Sequence, residues 1–398
     1  MHGTVDSREL EGRSRVAERK ASHARHATQV GPLYDAVAFG MWAQIRASFR
    51  VEVLGPRRFR LDPGTLIVAT HRRESDVPVI SPLLYFRARL WRHRSEVMRH
   101  AARDDMFLPG FFAGFPPGLR PWVRRLLYPV GVGRFLPWVG VHPISSASTA
   151  RAGELLRELP DALLAEVLPG ELADAFSARA GERGLPTPVR GRDVLRGDYA
   201  DLLWQAASPD GSPSLEDFWA RRAARAAADF RELVDFVRAG GSLVVFPEGR
   251  PSPDGDVGPL RRGLGALVRR GRPAWFLPVA VAYDPLGSGR TRAFVSFARR
   301  VEPPTDDVEE ATLSLLKRAM PLTCGQFVAH ELLAGRTPDE PALADAVEEA
   351  WAQERPVDPH LLDRGRRVAR LAEALAAAER LPAELPFLAR EYESARAL

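Results

Sequence analysis

Short apolar runs alternate with longer segments in which apolar residues recur at helical spacing. The apolar runs, typical of buried strands, lie at 51–54, 65–69, 139–144, 242–246, 275–283 and 293–298. Helical spacing is clearest at 32–49 and at 215–239, and Gly240-Gly241 gives the second helix a C-terminal stop. Strands that alternate with helices predict an α/β fold, with a mostly parallel central sheet flanked by helices.

Changes in composition divide the chain into three parts. Residues 1–30 are polar and charged with little periodicity, which indicates a disordered or loose arm. Residues 31–304 form the predicted α/β domain, in which 169–213, rich in Gly, Pro, Arg and Asp, is interpreted as a loop insertion. Residues 305–398 are alanine-rich and charged, and we expect a helical C-terminal region there.

The net charge is +5 and the pI is about 9.7, which suits anionic partners such as phosphate esters or a membrane surface. Because 51 acidic residues are interspersed among 56 basic ones, we do not expect a nucleic-acid partner. Cys324 is the sole cysteine, so a disulfide within the chain is excluded and a cytoplasmic setting is expected. No His, Cys and carboxylate cluster has metal-ligand spacing, and we predict no metal site.

A histidine and an aspartate follow the apolar run at 65–69. His71 stands five positions before Asp76, and this spacing places the two on different faces of a regular helix. They can meet only if His71 lies on a turn and Asp76 enters the next helix. In open α/β sheets, ligands bind at such strand ends. An imidazole that a carboxylate orients can act as a general base, whereas the alternative is a solvated turn histidine beside a capping aspartate.

A second polar block follows the buried run at 242–246. Glu248 and Gly249 come directly after it, and glycine permits close approach of a ligand to backbone N–H groups. The nearby Arg250, Arg261 and Arg262 are candidates to bind a phosphate. The alternative is an ordinary turn with surface charges.

Taken together, these blocks resemble the glycerophospholipid acyltransferase family, which includes lysophosphatidic-acid and glycerol-3-phosphate acyltransferases. The family's blocks correspond here to His71 with Asp76, to Phe246-Pro-Glu-Gly249, and to Leu277-Pro-Val-Ala280, in the right order. Thr70 replaces the asparagine that often precedes the histidine. Gly140-Val-His-Pro-Ile-Ser-Ser146 lacks the arginine that usually ends the family's second block.

The resemblance implies transfer of a fatty acyl group from acyl-CoA or acyl carrier protein to a hydroxyl of a glycerol-phosphate or lysophospholipid-like acceptor. His71 would be the general base and Asp76 its orienter, and no cofactor besides the thioester co-substrate is expected. Glu248 would help to bind the acceptor, while backbone N–H groups near His71 or Gly249 would stabilise the oxyanion. Arg151 is a further candidate for the missing phosphate ligand. The alternative is a non-catalytic lipid- or acyl-thioester-binding protein on a degenerate scaffold.

Aromatic, proline and arginine residues are unusually dense at 105–144. Rings and cations in such a mixture suit a membrane interface, and packing of a proline-broken core is the alternative. The N-terminus lacks the apolar core of a signal peptide, and no apolar run is long enough to span a bilayer. We therefore expect a cytoplasmic protein that is peripheral at the inner face of the membrane. The acceptor, the donor and the oligomeric state are left open.

Overall fold

A computed structural model describes residues 32–56, 61–88, 90, 98–114, 119–131, 133, 135–185, 187–207 and 215–397. The predicted arm at 1–30 lies outside these residues. The chain divides into two compact units, Met1–Arg99 with Val234–Leu398 and the intervening His100–Leu233.

The first unit contains an α/β sheet and the C-terminal helices. Its elements, in chain order, are α1 (Pro32–Ser48), β1 (Arg50–Leu54), β2 (Thr65–Ala69) and α2 (Asp76–Arg87), followed after the second unit by β7 (Ser242–Val245), α11 (Gly263–Gly271), β8 (Trp275–Asp284), β9 (Arg292–Phe297), α12 (Val308–Ala319), α13 (Cys324–Leu333), α14 (Glu340–Ala352), α15 (Arg364–Ala378) and α16 (Leu385–Arg396). Short 3₁₀ turns lie at Pro359–Leu361 and Pro382–Glu384.

The strands of the first unit follow the order β1-β9-β8-β2-β7. β1 runs parallel to β9, and β2 runs parallel to both β8 and β7, whereas the β8–β9 pair is antiparallel. Ile67 pairs with Leu277 on one side and with Val244 on the other. The predicted fold class, a mostly parallel sheet flanked by helices, is therefore confirmed.

Burial on both faces explains why these strands appear in the sequence as nearly continuous apolar runs. Every residue of β2, β7 and β9 is buried, as is every residue of β8 except the half-buried Trp275. Strands that are covered on both sides cannot show the apolar–polar alternation of a half-exposed strand. α2 begins at Asp76 and continues through Pro82, although proline removes one helical hydrogen bond there.

The C-terminal helices share a core with the end of β8. Buried side chains from α13, α14, α15 and α16 form it with Leu286, just after β8, among them Phe327, Leu343, Leu371 and Leu388. At the edge of this core, the guanidinium of Arg370 donates to the buried carboxylate of Asp284 at 2.9 Å. The helical character predicted for 305–398 is confirmed, and these helices belong to the same compact unit as the sheet.

The second unit is mostly helical. Its elements are β3 (Met98–Arg103, which begins just before the unit), α3 (Phe111–Gly114), α4 (Pro121–Leu127), β4 (Val141–Ile144), β5 (Ala150–Arg151), α5 (Ala152–Glu158), α6 (Leu164–Val167), α7 (Gly170–Glu182), α8 (Gly191–Val194), α9 (Ala200–Leu203), β6 (Ala206–Ala207) and α10 (Glu216–Arg238, which ends just after it). Short 3₁₀ turns lie at Asp104–Phe107, Leu136–Val139 and Gly197–Tyr199. β3 pairs with β4 in parallel, and β5 with β6 antiparallel.

The interpretation of 169–213 as a loop is wrong for much of the segment, of which 208–213 lies outside the described residues. α7 occupies Gly170–Glu182, and short helices follow at Gly191–Val194 and Ala200–Leu203. α7 buries Leu172, Ala173, Phe176 and Ala180, which recur at helical spacing. Glycine, proline and charged residues around them hid this apolar stripe.

Among the helices that the structure describes, none combines the length and the apolar character needed to cross a bilayer.

Candidate active site

The candidate histidine lies immediately beyond the carboxyl end of β2. The N–H of Thr70 donates to the carbonyl of Val279 at 3.0 Å, and the Thr70 hydroxyl accepts the N–H of Val281 at 3.0 Å. Both bonds fix Thr70 against β8 with its side chain fully buried. Threonine, which replaces the asparagine of the family pattern, thus anchors the start of the turn that carries His71.

The turn brings the histidine and the aspartate together. His71 Nδ1 lies 3.1 Å from Asp76 Oδ2, although the two residues are five positions apart. The contact forms because Asp76 is the first residue of α2, while His71 lies on the turn before it. The side chain of Asp76 is fully buried, and that of His71 is 12% exposed.

Asp76 accepts hydrogen bonds on both carboxylate oxygens. Oδ2 also accepts the backbone N–H groups of Arg72 at 2.5 Å and of Arg73 at 2.9 Å, and Oδ1 accepts the Tyr283 hydroxyl at 2.7 Å. Burial, and then the charge of Asp76, raise the pKa of Tyr283, so this hydroxyl keeps its proton and remains a donor. These donors compensate for burial of the carboxylate charge.

This arrangement determines how the imidazole can react. A carboxylate accepts hydrogen bonds, so the His71–Asp76 contact places the neutral imidazole's proton on Nδ1 and leaves the Nε2 lone pair for a substrate. The ring packs against Phe246, with ring centroids 4.8 Å apart. The geometry therefore provides a partly exposed imidazole whose neutral tautomer is set by Asp76.

The glutamate block meets the histidine turn, as expected for the carboxyl ends of the adjacent parallel strands β2 and β7. Glu248 Oε1 accepts the backbone N–H of His71 at 2.7 Å, and the N–H of Ser252 donates to the His71 carbonyl at 2.8 Å. Glu248 is 6% exposed. Burial raises the pKa of its carboxyl group, and the charge of Arg72 opposes that rise. Glu248 thus holds the backbone of His71 in place.

Two of the backbone N–H groups in the region where oxyanion stabilisation is expected are engaged. The N–H of His71 donates to Glu248, and the N–H of Gly249 donates to the carbonyl of Phe246 at 3.0 Å. These two groups already have partners within the turns that assemble the site, and oxyanion stabilisation by other N–H groups near His71 or Gly249 stays a prediction. Gly249 has φ +74°, a left-handed conformation that explains the glycine after Glu248.

The candidate arginines have different surroundings. Arg250, Arg261 and Arg262 are exposed. Arg261 lies next to the glutamate block. Its backbone N–H donates to the carbonyl of Pro247 at 2.8 Å, and a Cβ added at Gly249 would lie 3.1 Å from the side-chain Nε of Arg261.

Arg151, in the second unit, is already paired. Its Nε donates to Asp105 at 2.7 Å, and its Nη1 to the carbonyl of Trp204 at 2.8 Å. Arg261 therefore has the best-defined position among these candidates, at the edge of the glutamate block.

Sequence reasoning missed the residues that support the His71–Asp76 pair. Tyr283, near the end of β8, orients Asp76. Arg72, directly after the histidine, is one of the largest fully buried side chains of the molecule. The position of Tyr283 at the end of an apolar run was a weak signal for its role. Nothing in the local sequence marks Arg72 as buried, because arginine is usually exposed.

Comparison with known proteins identifies one segment. Residues 201–282 match the family model described as Acyltransferase. The match includes Glu248, Gly249 and the Leu277–Ala280 block. It begins at residue 201 and therefore does not include His71 or Asp76. Over these residues, the match agrees with the acyltransferase family that the three motifs indicate.

The structural comparison is weaker. The solved structure of PlsC, the 1-acyl-sn-glycerophosphate (LPA) acyltransferase of Thermotoga maritima, is 14% identical and has a TM-score of 0.35. The alignment covers 72% of this chain and 77% of that one. A TM-score this low does not establish a shared fold. No curated protein shows significant similarity to the sequence.

Proposed function

We propose that this acyltransferase-family chain moves a fatty acyl group from a thioester to a hydroxyl of a glycerol-phosphate or lysophospholipid-like acceptor. The observation that carries the proposal is the His71–Asp76 contact of 3.1 Å at a strand end, beside the buried glutamate of the Phe246–Gly249 block. A base of this kind suits removal of a proton from an alcohol near neutral pH.

The reaction needs no enzyme nucleophile, because a thioester is already an activated acyl group. His71 Nε2 takes the hydroxyl proton as the acceptor oxygen attacks the thioester carbonyl and forms the new C–O bond. The tetrahedral intermediate then breaks its C–S bond, and the imidazolium returns the proton to the leaving thiolate. Asp76 stabilises the imidazolium between these two steps, as the carboxylate does in a catalytic triad.

The acceptor's phosphate requires cationic partners. Arg261, at the edge of the glutamate block, is the first candidate, and Arg250 and Arg262 lie close to it in sequence. Glu248 keeps a proposed role toward the acceptor, although its Oε1 already accepts the His71 N–H. The donor in this scheme is acyl-CoA or acyl carrier protein.

We also propose that the 105–144 segment contacts the membrane surface. Trp122, Leu126 and Trp138 are 62%, 66% and 56% exposed, which is unusual for side chains of this size. Interfacial tryptophans and leucines anchor peripheral proteins in this way. The cationic contribution is reduced, because Arg125 pairs with Asp198.

An acceptor panel tests the proposed function. Purified protein is incubated with radiolabelled acyl-CoA or acyl carrier protein and with glycerol 3-phosphate, lysophosphatidic acid or other lysophospholipids, and ester and free thiol are measured together. At least one donor–acceptor pair should give equal amounts of ester and free thiol. Neither product should form when the acceptor is left out. Saturable thioester binding without turnover across the panel would instead favour the non-catalytic binding protein.

A further inference from the structure

Arg72 joins the histidine turn to a second loop. Its side chain is fully buried, and its Nη1 donates to the carbonyl oxygens of Gly255 and Asp256, each at 2.9 Å. The backbone N–H of the same residue donates to Asp76. One residue therefore connects the carboxylate that orients His71 with the loop that follows the glutamate block.

The compensating charge for Arg72 comes from the last described helix. Glu391 of α16 is 1% exposed, and its Oε1 lies 3.7 Å from Arg72 Nε. Its Oε2 accepts the side-chain N–H of Gln326 of α13 at 2.8 Å, which fixes the carboxylate in position. Within the described residues, Arg72 Nε, Arg72 Nη2 and Glu391 Oε1 have no hydrogen-bond partner, so the interaction between the two side chains is an ion pair.

The same helix also holds the second loop directly. The N–H of Val257 donates to the Ser394 hydroxyl at 3.0 Å, and this hydroxyl donates to Asp256 at 2.5 Å. Gly255 has φ +95°, and a Cβ there would lie 2.1 Å from the carbonyl oxygen of Phe387. The backbone of the loop is therefore in close contact with α16.

We propose that α16 is a positioning element for the base: Glu391, acting through Arg72, holds the turn on which His71 meets Asp76. This role rests on the proposed function, because it assigns α16 to the same reaction. Glu391 touches no reacting atom in the scheme, so it is a positioning residue. A displacement of about 1 Å at a base can cost a factor of about 100 in rate.

The physical reason is the cost of an unpaired buried charge. Without Glu391, the guanidinium of Arg72 keeps its two carbonyl partners but loses its ion-pair partner, and a buried charge that is less well compensated moves toward water when it can. Arg72 is covalently next to His71, so its movement strains the three amides at 71–73, whose N–H groups are bound to Glu248 and Asp76.

Hydrogen–deuterium exchange of the full chain tests this connection from Glu391 through Arg72 to the His71 turn, here called the tie, without any substrate. The variants are Glu391→Leu, which removes the charge and the acceptor for Gln326, and Glu391→Gln, which removes the charge but keeps an acceptor oxygen for Gln326. Glu393→Gln, on the same helix and half exposed, is the matched control. A peptide covering 70–77 reports the amides of the turn, and one covering β8 serves as an internal reference.

Glu391→Leu should accelerate exchange at 71–73 while leaving β8 unchanged, and kcat should fall roughly 100-fold with little change in KM. Glu391→Gln, which loses the charge but keeps the side-chain shape and an acceptor for Gln326, should show smaller changes in both properties than Glu391→Leu, and Glu393→Gln should match the parent. If the leucine variant does not fold, a smaller acceleration in the glutamine variant supports the tie.

Two results would overturn the proposal. Exchange at 71–73 that equals the parent's in every folded Glu391 variant would show that no tie exists. Faster exchange with an unchanged kcat would show that the tie does not position the base. A parent protein without acyl transfer would refute the proposed function instead, and this outcome is separate because exchange is read without turnover.

Discussion

Replacing Asp76 by asparagine separates the orienting role of this residue from its charge. Oδ2 accepts three hydrogen bonds, from His71 Nδ1 and from the backbone N–H groups of Arg72 and Arg73. If the asparagine amide nitrogen took this place, two buried N–H groups would lose their acceptor, at a cost of about 1–3 kcal/mol each. The carbonyl oxygen should therefore occupy it, while the amide nitrogen faces the Tyr283 oxygen. In Asp76→Asn the imidazole thus keeps its proton on Nδ1.

What the variant loses is the charge opposite the imidazolium. Two unit charges about 4 Å apart interact by roughly 4 kcal/mol at an effective dielectric constant near 20. That energy corresponds to about a thousandfold in rate. The proton is only partly transferred in the transition state, so kcat should fall between roughly tenfold and a thousandfold.

The assay is the kcat of Asp76→Asn with the best acceptor of the panel, together with the ¹⁵N shifts of the His71 ring nitrogens. We expect the parent's tautomer and a reduced kcat. Parent-like activity would refute the charge argument. A proton on Nε2 would refute the argument that the backbone donors dictate the orientation of the amide.

Three further predictions concern Gly255, Glu391 and Trp122. Gly255→Ala should lower the free energy of unfolding by about 2 kcal/mol or more in denaturant titrations, because the added Cβ combines positive-φ strain with a clash against Phe387. Gly258→Ala is the control and should be nearly neutral, because its Cβ meets no atom within 4 Å. Equal effects of the two substitutions would contradict this packing. Burial raises the pKa of Glu391 to about 7, so the native state retains this proton where the unfolded chain has lost it. The parent should therefore lose up to roughly 3 kcal/mol of stability relative to Glu391→Gln as the pH rises from about 4.5 to 7, and a constant difference would refute the assignment. Trp122→Ala should weaken cosedimentation with anionic vesicles roughly tenfold, since it removes about 1–2 kcal/mol of apolar burial, and undiminished binding would exclude this residue as an anchor.

Local pattern was sufficient to predict the central sheet and the position of the histidine. β2 spans Thr65–Ala69, as its apolar run predicts, and His71 follows it at the strand end. Adjacent parallel strands then place Glu248 beside His71, because their carboxyl ends share one edge of the sheet. These inferences depend only on neighbouring residues and on the geometry of parallel sheets.

The support around the His71–Asp76 pair depends on contacts between distant parts of the chain. Tyr283 meets Asp76 across 207 positions, and Glu391 reaches Arg72 from the last helix. No local periodicity encodes such pairs, and composition suggests that arginine and glutamate are exposed. α7 was missed for a different reason, because charged and glycine residues interrupt its apolar stripe at Leu172, Phe176 and Ala180.

The most direct test of the central claim is the rate of ester formation by His71→Ala with the donor and acceptor that the panel selects. His360→Ala is the matched control, because it removes an imidazole that lies near Glu52. A positioned base contributes a factor of roughly 100 to 10,000, so kcat should fall by that much in His71→Ala and stay at the parent's value in the control. Ester formation by His71→Ala at the parent's rate would contradict the assignment of His71 as the general base.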